Sequence, residues 1–186
     1  MKFYPLLVMI VLVAGCASTK SVVGDQQLLS QSLELEKLSD QNKITVEMLM
    51  AFKEKLAGDP FAEDLASEAI WLVRYNEYEH SAHSLNFLAL YIKDGTKLFC
   101  PGHEIAHVQL FAEHNDFELL NGTIQGIEDS YPKWKADAYA RREKFPAFYK
   151  KLDQIVSTID EILPKIKTGN YSIDREVTFL EENDIC

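Results

Sequence analysis

Residues 148–162 read FYKKLDQIVSTIDEI. Phe148, Leu152, Ile155, Ile159 and Ile162 recur every three or four positions. That spacing sets them on one stripe of an α-helix and leaves the lysines and acids for the other side. A half-buried strand would alternate with period two, and such alternation is scarce in this chain. Upstream, Phe117, Leu120, Ile124, Ile127 and Tyr131 repeat the same rhythm. Two long segments of one period point to an all-α fold, a bundle of roughly six to eight helices.

Working outward, the boundaries come from caps and breakers. Leu28, Leu29, Leu33 and Leu38 predict a first helix, interrupted by Ser39-Asp40-Gln41-Asn42. A second runs from Thr45 to Leu56 and stops at Gly58. Asp59-Pro60 supplies an N-cap followed by proline at the first helical position. The helix it opens carries Phe61, Leu65, Ala69 and Leu72 and continues, with a break near Ser81, to Asp94-Gly95. Pro101 opens another, Asn115-Asp116 caps the next, and Pro132 and Pro146 each begin one more. Pro164 ends the last long helix, and a short piece around Val177 to Leu180 completes the chain. Gly122 and Gly126, four apart, predict a close approach of two helices.

The first residues carry an address. Lys2 precedes an apolar run from Phe3 to Val13, too short for a membrane span of roughly 20 residues. The run ends in Val13-Ala14-Gly15-Cys16, which resembles the lipobox of bacterial lipoproteins. The resemblance implies a signal peptide over 1–15, removed before Cys16, and acyl chains on that cysteine. The small, polar run from Ala17 to Gln27 makes 16–27 the acylated tether, and the remaining length suits a single helical domain over 28–186. Several acyl chains anchor stably where one does not. Ala17 stands where an inner-membrane retention signal would show aspartate. The implied location is therefore the periplasmic face of the outer membrane, with the membrane itself as one partner. The formal charge of −10 on 186 residues argues against nucleic acid as partner and favours a basic protein. Cys100 and Cys186 can pair in an oxidising compartment. Two free thiols, or an intermolecular bridge through Cys186, are the alternatives.

Cys100 also opens CPGHEIAHVQLFAEH, residues 100–114. On a helix at about 100° per residue, His103, His107 and His114 fall within about 40° of one another. Ile105, Val108 and Ala112 fall opposite, so the histidines are expected to face outward or into a cleft. His103 and His107 have the one-turn spacing that lets two imidazoles grip one ion, and Glu104 could activate a metal-bound water. The five residues from His103 to His107 resemble the motif of zincin peptidases. That resemblance implies zinc as cofactor, with His103 and His107 as ligands and Glu104 as general base. The sequence departs from the family at Pro101, Gln109 and Leu110. His114 lies about 16 Å along the helix from His103, and Glu128, Asp129 and Glu143 remain as later carboxylates. His80 and His83, with Glu77 one turn before His80, extend the set. Packed against the Pro101 helix, they would complete a noncatalytic metal site reminiscent of the Glu-x-x-His element of di-iron bundles.

A longer stretch supports a third reading. Leu90-Tyr91-Ile92, Leu98-Phe99-Cys100-Pro101 and Gln109-Leu110, followed by an amphipathic helix ending in Tyr131-Pro132, resemble the periplasmic immunity family of type VI secretion. Those small helical proteins block cell-wall amidase effectors. The resemblance implies binding without chemistry or cofactor, and a structural Cys100. Leu88 and Ala89 stand where that family carries a second cysteine. The lipid-anchor reading makes a direct prediction. Cys16→Ser abolishes acylation and membrane retention in cell fractionation, and a wild-type chain recovered unacylated in the soluble periplasm would refute it.

Overall fold

The computed structural model describes residues 21–183. The described chain is all-helical, with eight α-helices. The expected signal peptide, Cys16 and the first part of the expected tether lie outside the described residues, as does Cys186. No helix among the described residues is long and apolar enough to cross a membrane. The described residues form two compact units that divide between Lys97 and Leu98.

The first unit holds α1 (Gln26–Asp40), α2 (Val46–Lys55), α3 (Pro60–Arg74) and α4 (Tyr78–Asp94). α4 packs on both α1 and α3, and α2 lies against α1 and α3. Small side chains let the helices approach. Ser32 and Ser39 of α1 are fully buried, and their hydroxyls donate to the backbone carbonyls of Leu85 at 3.0 Å and Tyr78 at 2.8 Å. Each bond satisfies a hydroxyl that would otherwise cost about 1–3 kcal/mol to bury. Leu49, Leu56, Leu72, Leu85, Leu88 and Ile92 fill the space between.

Asp59 ties this unit together. It is the N-cap of α3, ahead of Pro60, and is only 5% exposed. Its carboxylate accepts from the Ala62 N–H at 3.4 Å, the Val22 N–H at 3.2 Å and the Tyr91 hydroxyl at 3.1 Å. Val22 is buried, and the Gly24 N–H donates to the Ile92 carbonyl. The chain is thus fastened to α3 and α4 before α1 begins. The break expected near Ser81 falls earlier, at Asn76, whose φ of 66° ends α3 in the left-handed conformation that asparagine tolerates.

The second unit holds α5 (Pro101–Glu113), α6 (Phe117–Lys144), α7 (Leu152–Lys167) and α8 (Asp174–Glu181). α5 packs on α6 and α8, and α7 packs on the same two helices. Three prolines behave differently from expectation. Pro132 lies inside α6 and Pro164 inside α7, so neither starts nor ends a helix. Pro146 sits in the turn after α6, and α7 opens at Leu152. An interior proline costs up to about 3 kcal/mol, and packing around it offsets that cost. Ile127, Tyr131 and Ala138 are buried on α6, as are Ile159, Ile162 and Ile166 on α7. The Tyr131 hydroxyl donates to Asp160 at 2.9 Å, and Lys135 pairs with the same carboxylate at 2.6 Å. Phe148, expected on the buried stripe of α7, lies in the preceding turn and is 66% exposed. Gly122 and Gly126 face open space, and a methyl group in place of either hydrogen would meet nothing within 4 Å. No helix uses their small size.

Two substitutions test these contacts by urea denaturation. Asp59→Ala removes a cap and strands the Val22 N–H and Tyr91 hydroxyl, and is expected to cost about 2–4 kcal/mol. Pro132→Ala restores an N–H inside α6 and is expected to gain about 1–2 kcal/mol after its unfolded-state cost.

Candidate functional site

α5 starts where a β-conformation Cys100 meets Pro101, a pairing that favours a helix start because proline has no N–H to strand. Cys100 is fully buried and disulfide-bonded. Both remaining cysteines, Cys16 and Cys186, lie outside the described residues. From Pro101 the helix carries His103, Glu104 and His107 through its first two turns.

The histidines do not face outward. His103 is 7% exposed and His107 not at all, while Ile105 and Val108 are equally buried. The expectation assumed one dry face and one wet face, and α5 has no wet face over its first two turns. Ala112, expected inward, is only half-buried. The rings of His103 and His107 stand one turn apart with centroids 4.1 Å from each other, tilted by 58°. Phe111 extends the ladder, 5.7 Å from His107. Glu104 is half-buried in the first turn.

His114 leaves this arrangement. It is the C-cap of α5, and Asn115 with φ of 57° turns the chain away. The later carboxylates are engaged on the surface of the unit. Glu128 pairs with Lys167, Asp129 accepts from Gln125 at 3.0 Å, and Glu143 is exposed. Among the described residues, none of the three joins a group of side chains close enough to share an ion. Gln109, one of the departures from the peptidase pattern, bonds Asp174 and so ties α5 to α8.

In the first unit, His80 and His83 sit in the first two turns of α4. Their ring centroids are 6.5 Å apart and nearly perpendicular. His83 is exposed and His80 half-buried. Glu77 occupies the N-cap position without a side-chain cap bond. Sequence reading missed the partner that matters here. Burial pushes the Glu68 carboxyl of α3 up to about 7, against a hydrogen bond with Ser84 and the charge of His80, which lower it; Asp64 raises it further. Glu68 is 12 residues from His80 and 16 from Ser84, and no motif joins them. Chemically, His80, His103 and His107 each offer an imidazole nitrogen able to ligate a metal, and the α5 pair has the spacing of a two-point chelate.

A separate cleft of about 460 Å³ opens in the first unit beside Asp59, Phe61, Asp64, Tyr91 and Lys97. Phe61 and Tyr91 meet edge-to-face at 4.7 Å. The Lys97 ammonium stands 4.5 Å from the Phe61 ring centroid, a cation–π contact that holds this side chain over the aromatic pair. Burial raises the Tyr91 hydroxyl above its ordinary range, helped by its bond to Asp59.

No family model, curated protein or solved structure matches the chain.

The burial of the α5 pair is open to chemical test. With diethyl pyrocarbonate followed by mass spectrometry, His83 is expected to react rapidly in the folded chain, and His103 and His107 only after unfolding. Equal rates at all three would refute the buried placement.

Proposed function

We propose that this chain is a lipid-anchored binding protein of the bacterial periplasm that blocks a basic effector, in the manner of an immunity protein, and that it is not a hydrolase. One observation carries the choice. A peptidase zinc keeps a coordination position open to water and substrate, and His107 has no exposed surface. A polypeptide has no route to an ion held by that ring. The buried, disulfide-bonded Cys100 fits a structural cysteine in an oxidising compartment, as the immunity resemblance implies. The charge of −10 speeds encounter with a basic partner and disfavours acidic ones.

A second reading, a noncatalytic metal site, is favoured by the 4.1 Å ring pair on α5. His103 and His107 would hold the ion from one helix, with zinc the natural match for imidazole ligands. Such an ion would stabilise the fold and need no solvent access.

The two readings separate cleanly. In cells challenged with a periplasmic amidase effector, the binding reading expects Glu104→Gln to protect as well as the wild type. Loss of protection by a folded Glu104→Gln chain, or zinc-dependent peptide hydrolysis by the pure protein, would sink it. The metal reading expects about one zinc per chain in protein purified without chelator. It expects that zinc to fall away in His103→Ala and His107→Ala. Wild-type protein free of metal, with no rise in Tm on adding zinc, would remove this reading and leave the first untouched.

A further inference from the structure

Between α6 and α7 the chain makes a turn whose chemistry differs from the rest of the molecule. Its sequence is KFPAFYKK, residues 144–151. Phe145 is 61% and Phe148 66% exposed, in a chain whose other long side chains of this kind mostly pack inward. Pro146 and Ala147 between them are exposed as well. The turn is held in shape from beneath. Tyr149 is 5% exposed and roots it in the unit, with its ring 5.1 Å from that of Phe148. The N–H groups of Phe148 and Tyr149 both donate to the Phe145 carbonyl, at 3.1 and 3.3 Å. Two phenyl rings are therefore presented to solvent by an ordered turn.

The flanks are basic. Arg141, Lys144, Lys150 and Lys151 are all exposed. Arg142 is drawn back, donating to both Asp153 oxygens at 2.8 Å and stacking 4.7 Å from the Tyr139 ring. From residue 141 to 151 there are five basic side chains and one acid, Glu143, within a chain of net charge −10. Exposed aromatics ringed by lysine and arginine are the composition of an interfacial element. The rings enter the boundary of headgroup and acyl chain, while the long basic stems keep their charges at the phosphates. Charge chooses the occupant. A basic effector is repelled by this turn, and an anionic phospholipid surface attracts it.

We propose that the Phe145–Phe148 turn docks on the anionic bilayer surface to which the chain is tethered, as a second and reversible membrane contact. This rests on the lipid-anchor reading for proximity, and its chemistry is independent of the acyl chains.

The test uses the acylated full chain in phosphatidylcholine vesicles, with and without about 30% phosphatidylglycerol, enough anionic lipid for a surface potential. Flotation of the chain with both vesicle types reports the anchor. Phe148→Trp, read against the wild-type signal of Trp71 and Trp134, reports the turn through quenching by lipids brominated along their tails. Quenching is expected in anionic vesicles and is expected to fall about tenfold or more with Lys144→Glu plus Lys150→Glu, or in high salt. Circular dichroism confirms folding of each variant. A chain that floats without quenching overturns the proposal and spares the anchor. A chain that does not float with phosphatidylcholine vesicles, yet is quenched when anionic vesicles are added, overturns the anchor and spares the turn. If quenching is absent and Phe145→Ser lowers a concentration-dependent oligomeric mass, the turn is a contact between copies and the proposal fails.

Discussion

The burial of two imidazoles in the first turns of α5 is the constraint on which the functional reading depends. His107 has no exposed surface and His103 almost none. A histidine buried this way carries two nitrogens that were solvated in the unfolded chain, and desolvating them is costly unless partners replace water. A helix meant only to fill space would place leucine or isoleucine there at lower cost. The presence of two polar rings one turn apart, with centroids at 4.1 Å and tilted by 58°, makes α5 more than filler. The same burial is what the proposed binding reading rests on, since an ion held by His107 would have no open side toward a substrate.

The fold was legible because period and caps agreed along most of the chain. Asp59-Pro60, Asp94-Gly95, Pro101 and Asn115-Asp116 bound α3, α4, α5 and α6 where local chemistry says they must. Prolines misled wherever tertiary packing was stronger than the local penalty. Pro132 follows Tyr131, whose hydroxyl reaches Asp160 and the Val156 carbonyl on α7. Breaking α6 there would forfeit that contact and the burial of Ile127 and Ala138 on either side. Local rules cannot weigh a penalty at residue 132 against a partner at residue 160.

The site was harder to read for a related reason. Angular position on a helix divides residues into two faces only if the helix lies on a surface. Over its first two turns α5 is buried on both, so the division that put the histidines outward or into a cleft did not separate a wet face from a dry one, even though the 100° geometry was sound. The i,i+4 spacing itself survived, since it depends on the backbone alone. Glu68 and Ser84 escaped because they come together only when α3 packs on α4. Asp59 was visible as a cap, while its bonds to Val22 and Tyr91 required knowing what α3 and α4 place beside it.

Charge in this chain is distributed against its own average, and that bears on the proposal that one protein meets both a membrane and a soluble partner. A net charge of −10 would by itself hold the chain off an anionic bilayer, since surface potentials add over a Debye length of about 8 Å in physiological salt. Concentrating lysine and arginine around Phe145 and Phe148 produces a local field of opposite sign at a turn where two apolar rings are exposed together. On the proposed reading, the acidic remainder stays available to a basic ligand while the turn meets lipid. Uniform neutralisation of the surface would achieve neither end, because specificity here comes from the separation of charge and not from its sum.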